Sequence, residues 1–195
     1  EQTTLLDKKF KGFSRNGALL NEEEKLKLRE IDTELAKIKL TFGENVLAET
    51  NNYQLHITNE ADLKGLPDGA KEMAASLAKS KNLEGWIFTL DFPSYLPFVT
   101  YVENRKLRKE IAIAAGKKSF QGNEFDNKEN VKRIVELRHK RANLLGYQSH
   151  SHFVLEERMA QNPEKVQSFL NDLLEKAKPA AQKEFTELTT FAKEL

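Results

Sequence analysis

Residues 22–48 read EEEKLKLREIDTELAKIKLTFGENVLA, and this stretch decides the fold class. Along it apolar residues recur at steps of three and four: Leu28, Ile31, Leu35, Ile38, Phe42 and Val46. That spacing places them on one face of an α-helix. Asn21 and Glu24 have the spacing of a capping box, and Gly43 costs too little to end the helix. The stretch therefore predicts an amphipathic helix from about residue 22 to residue 48.

Two short runs interrupt the helical pattern. Tyr53 to Ile57 alternates in strand fashion after the turn residues Thr50 to Asn52. Trp86 to Leu90 follows Gly85 and has the aromatic and β-branched composition of a strand. We expect residues 53–57 and 86–90 to pair as an antiparallel ribbon. Two strands alone are marginally stable, so the ribbon should lie on helices.

Capping residues and helix breakers divide the remaining sequence. We expect a lead-in loop over residues 1–20, which hold Gly12 and Gly17 without a clear period. Residues 59–63 should form a helical turn and residues 116–126 a loop. Further helices should follow the candidate N-caps Asp68, Ser94, Asn104, Asp126 (with Glu129 as a second capping box), Ser149 or Ser151, and Asn162. The predicted fold class is mainly α with a small two-stranded β element.

Composition excludes several classes of protein and site. The chain has 31 Lys and Arg against 30 Asp and Glu, which argues against a nucleic-acid or anionic-membrane surface. It has no cysteine, which excludes disulfides and thiolate sites. The absence of cysteine is compatible with both the cytoplasm and the periplasm, and we favour the cytoplasm. No apolar run approaches the roughly 20 residues of a membrane-spanning helix. The first residue is Glu1 and residues 185–195 stop inside a helical pattern, so we expect an excised piece of a longer protein.

The four histidines do not form a recognisable zinc motif. None begins an HExxH sequence, in which residues i and i+4 share a helix face and grip one Zn²⁺. His152 and Glu156 have i,i+4 spacing and would supply half of a metal site, but we favour a surface pair near a helix start. His150 would point away from His152 on a helix. His56 is expected to pack in a strand or at its edge, and His139 to be solvated on a charged helix face.

No other catalytic group stands out in the sequence. The serines lie at caps or in loops without a GxSxG elbow, and no glycine-rich phosphate loop is present. One aromatic cluster has the composition of a ligand box, but its spacing favours burial in the core: Trp86, Phe88, Phe92, Tyr95, Phe98 and Tyr101. We therefore predict no catalytic residue and no metal ligand in this chain, and the residues alone identify no substrate-binding position.

Several stretches, in order along the chain, resemble the thimet-oligopeptidase family of zinc metallopeptidases. They are FGENVL (42–47), LDFPSYLPF (90–98), NRKLRK (104–109), NEFDN (123–127), LRH (137–139), ANLLGY (142–147) and MAQNPEKV (159–166). The family includes oligopeptidase A, neurolysin and the peptidyl-dipeptidases. LDFPSYLP is closer to oligopeptidase A, whereas residues 48–51 (AETN) are closer to the dipeptidase branch, so the type of cleavage stays open.

The resemblance implies a fold and a role. Family members are longer, nearly all-helical chains with two lobes around a narrow channel, and their zinc site, HExxH plus a later glutamate, lies in the C-terminal part. This sequence lacks those residues, so we expect residues 1–195 to be one mostly helical, non-catalytic segment that walls the channel. Its expected partners are the missing catalytic lobe and the short peptides cleaved by the parent, with zinc in the parent alone. The alternative is an independent helical interaction module without enzymatic activity.

Overall fold

The computed structural model describes residues 1–194. These residues form eight α-helices: α1 (Gln2–Ser14), α2 (Glu22–Asn52), α3 (Asp68–Ser80), α4 (Phe92–Tyr101), α5 (Arg105–Gly116), α6 (Lys128–Leu144), α7 (His150–Leu155) and α8 (Pro163–Glu194). Strands β1 (Leu55–Ile57) and β2 (Trp86–Phe88) and a 3-10 turn (Glu60–Leu63) complete the chain. The predicted class, mainly α with a small β element, is confirmed. Over the described residues, no helix has the length and apolar character needed to cross a membrane.

The chain divides into two compact units. One contains Glu1–Thr33 and Glu136–Leu195, and the other contains Glu34–Val135. Helices α2 and α6 each contribute residues to both units. The description of residues 1–195 as a single segment stays a prediction.

Helix α2 forms as the apolar stripe predicts, and it continues to Asn52. The backbone N–H of Glu24 donates to Asn21 Oδ1 at 2.9 Å, and the N–H of Asn21 donates to Glu24 Oε2 at 3.1 Å. These reciprocal bonds are the predicted capping box. Leu28 and Leu35 of the stripe are buried.

The core of unit 34–135 surrounds the β-ribbon. The strands pair antiparallel with Leu55 opposite Phe88 and Ile57 opposite Trp86, which confirms the ribbon with shorter strands than predicted. Helix α3 packs against β2, and the rings of Phe88 and Phe98 lie 4.5 Å apart between centroids. The buried residues of this core come from the ribbon, the 3-10 turn and helices α3 to α5: Leu55, Ile57, Leu63, Leu66, Ala74, Phe88, Leu90, Phe98, Val102 and Ile111.

A glycine fixes the entry into β2. Gly85 has φ +88°, and a Cβ at this position would collide with the carbonyl oxygen of Ile57. Glycine alone combines this backbone conformation with so close an approach of two chain segments. The turn before β2 therefore depends on Gly85.

The predicted loop over residues 1–20 is wrong, because α1 occupies Gln2–Ser14. Leu6, Phe10 and Phe13 are spaced by four and three residues, which is the helical period. Gly12 lies within the helix at a modest cost. All three apolar side chains are exposed. The helix therefore follows from the local sequence pattern, and none of its residues is buried by the described part of the chain.

Two predicted N-caps have other roles. The side chain of Ser94 accepts a hydrogen bond from the backbone N–H of Thr89 at 3.0 Å, and α4 begins earlier, at Phe92. Pro67 precedes α3, and Asp68 lies in its first turn without a capping bond. An acidic residue in a first turn still interacts favourably with the helix dipole.

The second predicted capping box is only half formed. Asp126 Oδ1 accepts from the backbone N–H of Lys128 at 2.8 Å, whereas Glu129 pairs with Lys132 Nζ at 2.8 Å. Side-chain caps do form at three of the other predicted positions: Asn104, Ser149 and Asn162. The aromatic cluster is core at Phe88 and Phe98 and partly buried at Trp86 and Tyr95. The predicted burial is wrong for Phe92 and Tyr101, which are exposed.

Candidate functional site

His152 contacts a serine and a glutamate. Its Nδ1 lies 2.8 Å from Ser149 Oγ, and its Nε2 lies 3.5 Å from Glu164 Oε1. Ser149 Oγ also accepts the backbone N–H of His152 at 3.4 Å, as an N-cap does. Glu164 is mostly exposed, and its contact with the imidazole is long. We assign these contacts to the capping of α7 and not to an activated serine.

Glu156, the other half of the hypothetical metal pair, belongs to a different cluster around Arg15. The guanidinium of Arg15 forms an ion pair with Glu156 and donates to Tyr147 Oη at 3.1 Å and to the carbonyl oxygen of Phe153 at 2.6 Å. Its Cζ lies 4.6 Å from the centroid of the Phe153 ring, and the His150 ring stacks on the same Phe153 ring at 6.3 Å between centroids. Tyr147 Oη donates to Glu156 Oε2 at 2.7 Å. This cluster holds α7 with the residues after α1.

The other two histidines, His56 and His139, make different contacts. His56 Nε2 lies 2.7 Å from the carbonyl oxygen of Glu84, and its side chain is exposed at the ribbon. His139 Nε2 lies 3.0 Å from the side-chain amide of Asn143 on α6. Over residues 1–194, no three His, Asp or Glu side chains come close enough together to hold a metal ion. The described residues therefore provide no three-ligand set for zinc, which the resemblance implies for the longer parent protein only.

A buried carboxylate, which the sequence analysis did not single out, organises the loop between α5 and α6. Glu49 is 8% exposed. Its Oε2 accepts from the backbone N–H of Ser119 at 3.2 Å and from Gln121 Nε2 at 2.7 Å, and its Oε1 accepts from Asn123 Nδ2. Next to it, Asn127 donates to the carbonyl oxygen of Phe42 at 3.0 Å. These bonds attach the loop to the last turns of α2.

Glu49 is ionised in this setting. Burial alone would raise its pKa, but the hydrogen bonds from Asn123, Gln121 and the Ser119 amide outweigh that effect and hold the pKa below its ordinary value. No Lys, Arg or His of the described chain forms an ion pair with it. The negative charge is therefore stabilised by neutral donors alone.

A cavity of about 260 Å³ adjoins this carboxylate. Its polar wall contains Glu49, Asn52, Tyr53, Gln121 and Asn123, and its apolar wall contains Leu90, Ala114 and Phe125. The hydroxyl of Tyr53 is buried and has no hydrogen-bond partner within residues 1–194. Burial and the charge of Glu110 raise the pKa of Tyr53, so it stays protonated at neutral pH.

One signal in the sequence points to Glu49. The apolar stripe of α2 continues from Phe42 and Val46 by three residues to position 49, which places an acid on the buried face of a helix. Acids are rarely buried unless their charge is stabilised. The three donors come from a loop without a period, so the sequence does not reveal them.

Comparisons with known proteins assign the family. The model of the family described as Peptidase family M3 matches residues 98–195. Oligopeptidase A of Salmonella typhimurium is 38% identical over 196 residues, which cover 98% of this chain and 29% of the relative. The Escherichia coli oligopeptidase A is 37% identical with the same coverage. Dipeptidyl carboxypeptidase of Escherichia coli is 25% identical over 189 residues, which cover 96% of this chain and 28% of the relative.

These relatives are much longer than this chain, which spans about 29% of the length of either oligopeptidase A. The match runs over nearly the whole chain, in agreement with the ordered resemblance of its short motifs. The chain belongs to Peptidase family M3.

Proposed function

We propose that this chain is a channel-forming, non-catalytic part of a zinc-dependent oligopeptidase that hydrolyses short peptides. Family membership and the similarity to oligopeptidase A support the class of reaction. The scattered histidines support a structural role, because the described residues offer no cluster for zinc. In this proposal the metal and the general base belong to the part of the parent protein that this chain does not cover.

The observation that carries the proposal is the apolar stripe of α8. No residue of this helix is buried, although it is long, at about 48 Å for its 32 residues. Large apolar side chains are exposed along its length: Phe169, Leu170, Leu173, Leu174, Phe185, Leu188 and Phe191. Contiguous exposed apolar surface of this kind marks an interaction site. The occupant that we propose is the remainder of the same peptidase.

A comparison of two polypeptides tests the proposal. The gene should continue past Leu195 into an HExxH motif and a later glutamate. The longer product should retain one zinc per chain after dialysis and cleave a quenched fluorescent peptide, whereas residues 1–195 should do neither. A reading frame without that motif would contradict the peptidase proposal. It would favour the independent helical module.

Zinc binding by the short chain has a specific check. If residues 1–195 retain stoichiometric zinc, the double substitution His150→Ala and His152→Ala should be tested together with Glu156→Gln. Loss of that zinc in the variants would assign the metal to α7 and overturn the non-catalytic role. We expect no zinc in either the unsubstituted 195-residue chain or its variants.

A matched pair of variants tests the role of the α8 stripe in the longer protein. Leu173→Asp places a charge on the stripe, while Gln182→Asp, nine residues later, places it on the opposite face of the helix. We expect Leu173→Asp to reduce the yield of active peptidase and Gln182→Asp to leave it unchanged. Equal activity of the two variants would show that α8 has no partner in the parent.

A further inference from the structure

The Glu49 cavity combines three features that point to a ligand. It contains an ionised carboxylate that is 8% exposed and has no cationic partner in the described chain. Tyr53 also lines the cavity, and its hydroxyl has no hydrogen-bond partner within residues 1–194. The cavity also has a volume of about 260 Å³ with apolar side chains opposite the polar ones. The three donors stabilise this charge but do not neutralise it, so a cation that enters the cavity gains an ion pair with the carboxylate.

The hydrogen-bond capacity of the wall defines the chemistry of that cation. An ionised carboxylate offers about four lone-pair positions, and Glu49 uses three of them for Ser119, Gln121 and Asn123. One position on the carboxylate remains. A guanidinium binds best as a two-pronged fork on a free carboxylate, which Glu49 no longer offers. An ammonium group needs only single acceptors for its separate N–H bonds.

We propose that the Glu49 cavity binds a primary ammonium group, with the carboxylate of Glu49 as its counter-charge. The attached carbon chain lies against Leu90, Ala114 and Phe125. The ammonium comes either from the α-amine of a small molecule or peptide, or from a lysine side chain of a polypeptide. The proposal does not depend on the peptidase activity proposed above.

The test uses n-butylammonium chloride as the probe and the 195-residue chain as the protein. Two-dimensional ¹⁵N NMR follows the side-chain amides of Gln121 and Asn123, which report on the cavity, and calorimetry gives the affinity. We expect saturable shifts of these amides with butylammonium and none with n-butanol, which has the same chain and no charge. Equal effects of both compounds, or no saturable shift, would overturn the proposal.

Two substitutions assign the binding to this cavity. Glu49→Gln should weaken butylammonium binding at least about tenfold, because it removes the counter-charge. Ala114→Leu should weaken it similarly by filling the cavity without touching the donors of Glu49. Ala112→Leu adds the same side chain at an exposed position of the same helix and should leave binding unchanged. If Glu49→Gln does not fold, Ala114→Leu against Ala112→Leu decides, and equal binding by those two variants refutes the site.

Two further probes distinguish the sources of the ammonium. Glycinamide presents an α-amine, and Nα-acetyl-lysinamide presents a lysine side chain. Tighter binding of the first supports a small amine or peptide terminus as the ligand, and tighter binding of the second supports a lysine of a polypeptide. Failure of both to compete with butylammonium would contradict the proposal.

Discussion

The core around the β-ribbon and helix α8 are both rich in leucine and phenylalanine, yet they bury these residues to opposite extents. Leu63 and Phe98 in the core are 0% exposed, whereas Phe185 is 70% and Leu188 is 64% exposed. Local interactions hold α8 instead, including the Asn162 cap. Periodicity therefore identifies the apolar face of a helix but does not show whether this chain covers that face.

The largest effect on stability should come from a substitution in the core around the β-ribbon. Phe98→Ala should lower the free energy of unfolding by about 3–5 kcal/mol, because it removes a fully buried ring that packs on Phe88. Urea denaturation followed by circular dichroism measures the change. The matched control is Phe185→Ala on α8. Its free energy of unfolding should stay within about 0.5 kcal/mol of that of the unsubstituted chain. A comparable loss in both variants would break the comparison, because α8 would then be packed.

The second-largest effect on stability should come from the Arg15 cluster, which lies within the unit of residues 1–33 and 136–195. Arg15→Met should cost about 1.5–3 kcal/mol, because it removes hydrogen bonds from a charged and largely buried group to Tyr147 and Phe153. Thermal unfolding measures the loss. Lys8→Met on α1, where the lysine is exposed, is the control and should be close to neutral. If Arg15→Met is equally neutral, α7 is held by other contacts.

Glu49 should give a somewhat smaller effect that depends on pH. Its pKa is lowered in the folded state, so its contribution to stability is present above its unfolded pKa, near 4.5, and is lost as the pH falls through the folded value. We expect Glu49→Gln to cost about 1–2 kcal/mol at neutral pH, and the two chains to converge in acid. Urea titrations between pH 7 and pH 3 check this. A constant difference over that range would mean that the carboxylate charge does not stabilise the loop.

The smallest effect on stability is expected on the α8 stripe itself. The double substitution Leu173→Gln and Leu188→Gln should change the free energy of unfolding by less than about 0.5 kcal/mol, because both side chains are already exposed. We also expect the isolated chain to self-associate through this exposed stripe, and the double substitution should reduce that association in analytical ultracentrifugation. Unchanged association would show that the stripe does not cause it. A large destabilisation would show that the stripe is covered within the chain.

Local signals in the sequence predicted most of the helical architecture. The stripe of α2, the Asn21–Glu24 capping box and the Asn162–Pro163 opening of α8 depend on neighbours within a few residues, and all three occur in the structure. The predicted cap at Ser94 is wrong because its hydroxyl accepts from the backbone N–H of Thr89, five residues earlier, and α4 begins before it. Helix α1 is not predicted because Gly12 suggests a loop, although Leu6, Phe10 and Phe13 have helical spacing.

The site was harder to predict than the fold. The absence of HExxH is visible in the sequence itself, but the sequence does not show which polar groups meet. Glu49 and Asn123 are far apart along the chain, and the contact between them depends on the path of a loop that has no period. An acid on an apolar helix face was the available signal. Its partners required the structure.

The attachment of Ser119 to Glu49 has a consequence for the kinetics of the α5–α6 loop. The Ser119 amide donates to a carboxylate and not to a helical carbonyl, so its exchange with deuterium is controlled by one titrating group. At neutral pH this loop amide should exchange as slowly as amides inside a helix. In acid the protonated carboxyl is a weaker acceptor, and the amide should open more often than the helices beside it. The opening of the α5–α6 loop, which contains no histidine, should therefore depend on pH.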